Sequence, residues 1–395
     1  MKSITVFISI LFFSFSTFSQ SSWGPQSSGT TLLLSEVYFE DANEGWVIGN
    51  SGTILHTTNG GTSWTPQNSG TTEWIRGMSF LDADTAWVVG HLGTILHTTD
   101  GGTTWNVQVS GVTKELRSVY FIDANYGWAV GVDAYILHTS NGGNTWSIQS
   151  QNVSSELACV FFINSNTGWA CGYDGTIMHT NNGGTTWTVQ SQSVFEWLLS
   201  IYFIDANNGF AVGNSGELVK TSDGGQNWTT VSSGTTSQLT DIFFLDATNG
   251  WIIGSGGLIF NTTDGGLTWN TQTSNTTQTL YSVYFNDNTN GWAVGWSGTI
   301  IHTPSITGIN ENNEILEYPF NISQDNGSLQ INFLEAIQNP KIDIFSIDGK
   351  LLWSKEYKSN KPVNEKIYLE NNSTGIYYIR VRSQEKLWAQ KFIMM

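Results

Sequence analysis

RSVYFIDANYGWAVGVDAYILHTSNGGNTWSIQS, residues 117–150, decides the fold of this chain. Four short apolar stretches in it, SVYFID, GWAVG, YILHT and NTWSIQS, alternate with turns rich in Gly, Asn and Asp. Strands at a spacing of about 8–12 residues with such turns between them indicate antiparallel β-structure. Four strands in about 40 residues is the size of one blade of a β-propeller. The stretch therefore predicts a four-stranded blade whose faces must be covered by neighbouring blades.

The same pattern returns every 41 residues, as the step from Trp64 to Trp105 shows. Two tryptophan series keep this period, and each has seven members when Phe210 is counted in the second. The first series is Trp23, Trp64, Trp105, Trp146, Trp187, Trp228 and Trp269. The second is Trp46, Trp87, Trp128, Trp169, Phe210, Trp251 and Trp292. A fixed period of this length is typical of propellers and related repeat folds.

The two incomplete copies predict how the ring closes. The last copy, residues 281–303, stops before its fourth strand, whereas SSWGPQSSGTT from Ser21 resembles TSWTPQNSGTT from Thr62. We expect the N-terminal strand, next to Ile301, to complete the last blade and leave no open sheet edge. The prediction is an all-β chain with a seven-bladed β-propeller over residues 20–303.

The turn between the third and fourth strands reads TTNGGTSW, TTDGGTTW and similar in six copies. It resembles the Asp-box, or bacterial neuraminidase repeat. The Asp or Asn can accept hydrogen bonds from its own turn, the glycines allow positive φ, and the tryptophan packs between blades. We assign structural roles to these residues rather than catalytic ones: Asn59, Asp100, Asn141, Asn182, Asp223, Asp264, Trp64, Trp105, Trp146, Trp187, Trp228 and Trp269.

The whole repeat, F-x-D-A-N-x-G-W-A-V-G followed by G-T-I-L-H-T-T-D-G-G-T-T-W, resembles that of photosystem II stability/assembly factor-like proteins. The resemblance covers about residues 21–303. It implies a seven-bladed propeller that binds protein partners and has no known chemistry. Photosynthetic members carry a basic Arg patch, whereas residues 23–303 hold only Arg76, Arg117, Lys114 and Lys220 against 21 acidic residues. We therefore do not expect a photosystem role.

Composition and charge exclude several kinds of partner. The formal net charge of -17 argues against nucleic acid. An aromatic share of 13% argues against wholesale disorder. We find no phosphate-binding loop, nucleophile elbow or metal-spacing motif, and we expect no cofactor and no metal.

Histidines and cysteines are few. His56, His97, His138, His179 and His302 share one register of the repeat, so they lie in different blades and cannot hold one ion. Cys159 and Cys171 are expected to face each other across the first and second strands of one blade. In an exported protein they could form a cross-strand disulfide, or they could stay as two buried free thiols.

Both ends of the chain resemble targeting signals for export. Residues 1–19 have one Lys, an apolar run and small residues before Gln20, a pattern that predicts a signal peptide. No other stretch is apolar enough to cross a bilayer, so we expect a mature protein without a membrane span. Residues 304–317 are predicted to be a linker.

Residues 318–395 are predicted to form a small β-sandwich because apolar alternation returns in KIDIFSIDGKLLW and GIYYIRVRS. IDIFSIDGKLL, STGIYYIRV and the final QKFIM also resemble the C-terminal sorting domain of the type IX (Por) secretion system. The resemblance implies export across the outer membrane by that machinery, followed by release or surface attachment. The other interpretation is a carbohydrate-binding or immunoglobulin-like accessory domain.

One face of the ring is the predicted binding face. The loops joining fourth to first and second to third strands share that face, and the copies differ there by large residues. Exposed aromatic residues on a rigid scaffold are candidate partner contacts. The candidates are Trp74, His91, Tyr173, Phe195, Trp197 and Trp296.

The sequence favours a binder over an enzyme. Two arginines in adjacent blades cannot supply the Arg cluster with which a sialidase holds a carboxylate. We predict an exported, non-catalytic and monomeric propeller that binds a protein or glycan at the cell surface. The alternatives are a secreted glycan-active hydrolase and an adhesin or matrix component.

Overall fold

The computed structural model describes residues 23–149, 154–190, 196–303, 320–325, 328–333, 339–346, 351–358, 364–367, 375–382 and 387–394. The chain divides into two compact units between Thr307 and Gly308. The signal peptide predicted at 1–19 and the linker at 304–317 lie outside the described residues and stay predictions, as do the domain bounds built on them.

The first unit is a ring of seven four-stranded antiparallel sheets. Blades 1 to 3 are formed by β2 Leu34–Phe39, β3 Gly45–Gly49, β4 Ile54–Thr57 and β5 Thr65–Pro66; β6 Ile75–Phe80, β7 Thr85–Gly90, β8 Ile95–Thr99 and β9 Asn106–Gln108; β10 Leu116–Phe121, β11 Gly127–Gly131, β12 Ile136–Thr139 and β13 Ser147–Ile148. Blades 4 and 5 are formed by β14 Leu157–Phe162, β15 Gly168–Gly172, β16 Ile177–Thr180 and β17 Thr188–Val189; β18 Leu198–Phe203, β19 Gly209–Gly213, β20 Leu218–Thr221 and β21 Thr229–Thr230. Blades 6 and 7 are formed by β22 Leu239–Phe244, β23 Gly250–Gly254, β24 Ile259–Thr262 and β25 Asn270–Gln272; β26 Leu280–Phe285, β27 Gly291–Gly295, β28 Thr299–Thr303 and β1 Gly24–Ser27.

The first strand of each blade touches the first strand of the next, and the cycle closes where β26 meets β2. β1 pairs antiparallel with β28, with Pro25 opposite Ile301. The predicted ring of seven blades, closed by the N-terminal strand, is confirmed.

A single turn of 3₁₀ helix joins the second and third strands of every blade. These turns are Asn50–Gly52, His91–Gly93, Val132–Ala134, Tyr173–Gly175, Asn214–Gly216, Ser255–Gly257 and Trp296–Gly298.

The fourth strands are shorter than the sequence predicted. NTWSIQS contributes only Ser147–Ile148 to its sheet. The preceding residues belong to the Asp-box turn, and the outermost strand has no further strand beyond it to extend the ladder.

The apolar core lies between neighbouring blades. Each core cluster of the ring combines side chains of two blades, as where Trp292 of blade 7 packs with Phe39 of blade 1. These two rings stack at 3.5 Å between centroids, and Trp87 stacks on Phe121 at 3.6 Å in the same way. Burying large aromatic faces in this manner gives each blade its main adhesion to the next.

The second unit contains a three-stranded and a four-stranded sheet. Its strands are β29 Phe320–Asp325, β30 Ser328–Phe333, β31 Lys341–Ser346, β32 Leu351–Glu356, β33 Asn364–Ile367, β34 Gly375–Arg382 and β35 Leu387–Met394. One cluster of buried residues draws on both sheets, with Ile331 and Ile367 from one and Ile344 and Ile379 from the other. The β-sandwich stays a prediction.

Candidate functional site

A pocket opens at the mouth of the central channel, on the face that carries the loops between fourth and first strands. It encloses about 280 Å³. Every blade contributes to its lining, which is made of Leu33, Ser35, Trp74, Arg76, Arg117, Ala158, Tyr173, Trp197, Leu199, Gln238, Thr240 and Tyr281. A β-bulge at the start of each first strand turns an additional residue toward the channel, as between Leu34 and Glu36. The bulges thus form the polar and aromatic rim of the pocket.

Four charged side chains of blades 2 to 4 form a chain of ion pairs along one wall. Arg76 binds Glu115 at 2.7 Å, and Arg117 binds the same carboxylate at 3.2 Å. Arg117 also reaches Glu156 at 2.8 Å. Burial would raise the pKa of Glu115, but the two guanidinium charges outweigh it and hold the pKa below the usual range. Glu115 is therefore ionised at neutral pH.

The same arginines stack on aromatic rings. The Arg76 guanidinium lies 3.7 Å from the ring centre of Trp74, and that of Arg117 lies 4.8 Å from the ring centre of Tyr173. Tyr173 in turn stacks on Trp197 at 3.8 Å with an interplanar angle of 10°. The indole of Trp74 donates a hydrogen bond to Ser35 Oγ at 2.7 Å. Ion pairs and stacking together hold the wall in one arrangement.

The structure brings together part of the predicted binding face. Trp74, Tyr173 and Trp197 line the pocket. His91 is not part of the lining; its ring centre lies 5.3 Å from that of Trp74, and its Nε2 lies 3.3 Å from a carboxylate oxygen of Glu115. Trp296 is 51% exposed on the same face but does not line the pocket. Phe195 lies outside the described residues.

Sequence reasoning missed Arg76, Arg117, Glu115 and Tyr281. A signal for them existed, because Arg76 and Arg117 are one period apart and Glu115 occupies the register of Trp74. Side chains in one register lie side by side around a ring, so an Arg-Glu-Arg chain could have been inferred.

Below the mouth, a ring of small polar side chains lines the channel. Its members are Glu36, Ser118, Cys159, Ser200, Asp241 and Ser282, with Gly77 in the seventh place. Several of them accept a hydrogen bond from the backbone N–H of the next blade. Met78 N–H donates to Glu36 at 2.6 Å, and Val283 N–H donates to Asp241 at 3.0 Å. The ring therefore joins neighbouring blades at the channel edge of their first strands.

Two carboxyl groups of this ring have raised pKa values. Burial raises the pKa of Glu36 to about 8, although the Met78 N–H opposes the shift. Burial likewise raises the pKa of Asp241 to about 6, against hydrogen bonds that include the Val283 N–H and Ser200. Both groups lie beside mouth residues, and neither lines the pocket itself.

Below the carboxyl groups, a circle of aromatic side chains follows the first strands around the channel. Tyr120, Phe161, Tyr202, Phe243, Tyr284 and Tyr38 follow one another in contact, with centroid distances between 4.9 and 5.8 Å. Ser79 takes the seventh place, and its hydroxyl accepts a hydrogen bond from Phe121 N–H at 2.9 Å.

Asp-box residues hold their own turns. Asp100 accepts hydrogen bonds from Thr98 Oγ1, Thr104 N–H and Thr104 Oγ1 at 2.7–2.8 Å. In five of the six turns the second glycine faces a glutamine carboxamide of the preceding blade; at Gly61, with φ 83°, a Cβ would collide with that of Gln26. These contacts are local, as the structural assignment of these residues expects.

Histidines of the repeat stack on tryptophans of their own blade. Trp87 lies 4.5 Å from His97, and Trp292 lies 4.6 Å from His302. Burial lowers the pKa of His302 to about 4, with Asp287 opposing the shift. Among the described residues no group of three or more His, Cys, Asp or Glu could hold a metal ion.

Cys159 and Cys171 stand directly opposite each other in the β14–β15 ladder, as predicted. Both are free thiols in the structure. Burial raises the pKa of Cys159 to about 12, and it raises that of Cys171 well above its usual range. Two neutral thiols are poor nucleophiles, and the disulfide stays a prediction.

The closed ring of seven four-stranded sheets with a lined channel mouth defines the chain as a seven-bladed β-propeller. The model of the family described as photosynthesis system II assembly factor YCF48 matches residues 15–111, 105–194 and 226–311. The chain belongs to this family. Residues 325–395 match the model of the secretion system C-terminal sorting domain.

Solved structures give the same fold. "YCF48 bound to D1 peptide" is 20% identical with a TM-score of 0.63 and covers 75% of this chain and 99% of its own. "YCF48 from Cyanidioschyzon merolae" is 23% identical with a TM-score of 0.61 and covers 71% and 98%. The WD40 propeller domain of Doa1 is 13% identical with a TM-score of 0.57 and covers 71% and 96%. No curated protein sequence matches the chain.

The sorting domain marks the chain as cargo of the type IX secretion system, so the propeller is exported. In the described part of the chain, no helix has the length and apolar character needed to cross a membrane.

Proposed function

We propose that the propeller is a non-catalytic binding module that acts outside the cell and holds its partner in the pocket at the channel mouth. The observation that carries the proposal is the asymmetry of that mouth. The ring repeats one pattern seven times, yet blades 2 to 5 place Trp74, Tyr173, Trp197 and two arginines along the pocket. Rigid aromatic and arginine side chains around a concave site are the residues that usually dominate binding energy.

The similar solved structures support a binding role. One of them is described as YCF48 bound to a D1 peptide. That protein shares the fold of this chain at 20% identity, which supports a binding role for the propeller. The exported location makes a surface protein or glycan the partner we propose.

A secreted hydrolase is the second candidate, because two carboxyl groups with raised pKa values lie beside the pocket. Such groups often mark catalytic sites. Glu36 and Asp241 both accept hydrogen bonds from the next blade, which gives their position a structural reason. Glu115, the carboxylate closest to the pocket arginines, is ionised and cannot act as a general acid at neutral pH.

The test compares binding of the purified mature chain to the surface of the cells that produce it. Trp74→Ala with Trp197→Ala should weaken retention about tenfold or more, because both indoles line the pocket. Trp197→Ala alone is a second variant, since this side chain is 42% exposed and its loss should leave folding intact.

Trp296→Ala is the matched control. It removes an exposed tryptophan of the same face that lies outside the pocket, and retention should not change. Undiminished retention of both pocket variants would refute the proposed site. Release of sugar from chromogenic glycosides by the wild type, lost in Glu36→Gln, would favour the hydrolase instead.

A further inference from the structure

We infer that the pocket at the channel mouth binds an uncharged sugar ring of a glycan. The inference rests on the proposed binding function and adds the chemistry of the ligand. Three features support it. The charges of the wall are paired within the protein, aromatic faces are exposed to the pocket, and backbone N–H groups nearby already donate to side chains.

The charges of the wall cancel within the protein. Arg76 and Arg117 share Glu115, and the second guanidinium group also binds Glu156. Two cations thus face two anions, and the lowered pKa of Glu115 keeps its carboxylate ionised. An acidic ligand would have to compete with these carboxylates, inside a chain whose formal net charge is -17. A cationic ligand would be repelled by the guanidinium groups of Arg76 and Arg117.

The aromatic faces suit a ring with polarised C–H bonds. Tyr173 covers one face of Trp197, while the indole remains 42% exposed. The face of an aromatic ring carries negative charge and attracts the slightly positive C–H groups on the flat side of a pyranose. Hydroxyl groups at the sugar edge can both donate and accept, which matches the hydroxyl groups of Ser35 and Tyr281 in the lining.

A peptide adding as a strand would need free backbone groups on the channel edge of the first strands. Along the described first strands, several of those N–H groups already donate to side chains of the preceding blade. Met78 donates to Glu36, Val160 donates to Ser118 at 3.3 Å, and Phe121 donates to Ser79. Recognition at the mouth therefore falls to side chains, which favours the sugar ring over an extended peptide.

The experiment presents the mature chain to an array of neutral and acidic glycans and to a set of peptides with free C-terminal carboxylates. Hits are then measured in solution with matched pairs, such as a neutral oligosaccharide and its uronic-acid counterpart. We expect the neutral member to bind at least about tenfold more tightly. Trp197→Ala should weaken this binding about tenfold, and Trp296→Ala should leave it unchanged.

Glu115→Gln tests the charge argument directly. Removing this carboxylate leaves Arg76 and Arg117 with one anion, so the preference for the neutral sugar should shrink or reverse toward the acidic one. A thermal melt checks that the variant is folded. The aromatic contribution should persist, so Trp197→Ala should still weaken binding in the Glu115→Gln background.

The outcomes separate the two proposals. Wild-type preference for acidic glycans, or pocket-dependent binding of peptides alone, overturns the sugar inference and leaves the binding function standing. Absence of array hits, combined with surface retention that depends on Trp197, also overturns only the inference. If the pocket variants are retained at the cell surface as well as the wild type, the proposed binding site itself is refuted.

Discussion

Trp269 and Val231 pack against the same core cluster, and among the described residues the indole Nε1 of Trp269 has no hydrogen-bond partner. Neighbouring blades place a glutamine where Val231 stands. Trp228, for example, donates to Gln190 Oε1 at 3.2 Å, and Gln190 donates to Gly224 O at 3.1 Å. Other joints of the ring have this pair of hydrogen bonds, from Trp to Gln and from Gln to a backbone carbonyl, which we call the latch. The joint between blades 5 and 6 lacks it.

Phe210 makes the same joint weaker still. Its counterpart Trp169 donates to Gly224 O at 3.1 Å, whereas a phenylalanine has no donor. The Phe210 ring lies close to Gly266, in the space that a glutamine carboxamide fills in other blades. Phe210→Trp together with Val231→Gln should restore the latch and stabilise the propeller by roughly 1–2 kcal/mol, measured by urea unfolding.

Val231→Gln alone is the control for that prediction. Without the change at Phe210 the carboxamide has no space, so we expect no gain or a small loss of stability. Equal stabilisation by the single and the double variant would contradict the latch model.

Glu36→Gln should stabilise the protein at alkaline pH. The folded-state pKa of about 8 lies above the ordinary 4.5, so the folded chain holds a proton that the unfolded chain releases. This contribution to stability is complete below pH 4.5 and is lost as the pH rises through 8. Glutamine still accepts the Met78 N–H, and the gain at pH 9 should be roughly 2 kcal/mol or more. Chemical unfolding at pH 5, 7 and 9 measures it, and a gain independent of pH would refute the assignment.

His302→Asn should protect the protein against acid. The folded-state pKa of about 4 lies below the ordinary 6.5, so the unfolded chain binds the proton first. Stability is complete above pH 6.5 and falls as the pH drops through 4. Asn261 fills the same register opposite Trp251, so the fold accepts this side chain. Melting temperatures at pH 7 and 4.5 should show that the variant loses less than the wild type; an equal loss would exclude His302 as a cause.

Asp100→Ala should lower the melting temperature of the propeller, because the turn loses the acceptor for Thr98 and Thr104. Asp100→Asn should be nearly neutral, since Asn59 makes the equivalent contacts with Thr57 and Ser63. Thermal unfolding of the two variants tests the structural role. If glycan or surface binding also changed while stability did not, the turn would have a functional role instead.

The ring could be predicted from the sequence because its physics is local and repeated. The copies share one turn and, apart from Phe210, the same tryptophans, so the 41-residue period alone predicts strand number, strand order and the closure by residues 24–27. The predicted fourth strands were too long because the Asp-box turn contains residues that resemble a strand in sequence. In blade 3, for example, the strand begins only at Ser147.

The pocket was harder to predict because it depends on contacts between blades. Trp74 and Trp197 stood out by size, but nothing within one copy shows that Arg76 clamps Glu115 of the next. Trp296 occupies the same register as Tyr173, yet it does not line the pocket. The size of a residue identifies the face, and the position of neighbouring blades decides which residues meet.

Ser28 donates a hydrogen bond to Gly298 O at 2.7 Å across a separation of 270 residues. A polypeptide emerging from the ribosome cannot make this bond, or pair β1 with β28, until almost the whole first unit has been synthesised. Contacts so distant in sequence form late, because a long loop must close first. Until then the seventh sheet has an open edge, so the ring closes only after the last strand of the first unit has been synthesised.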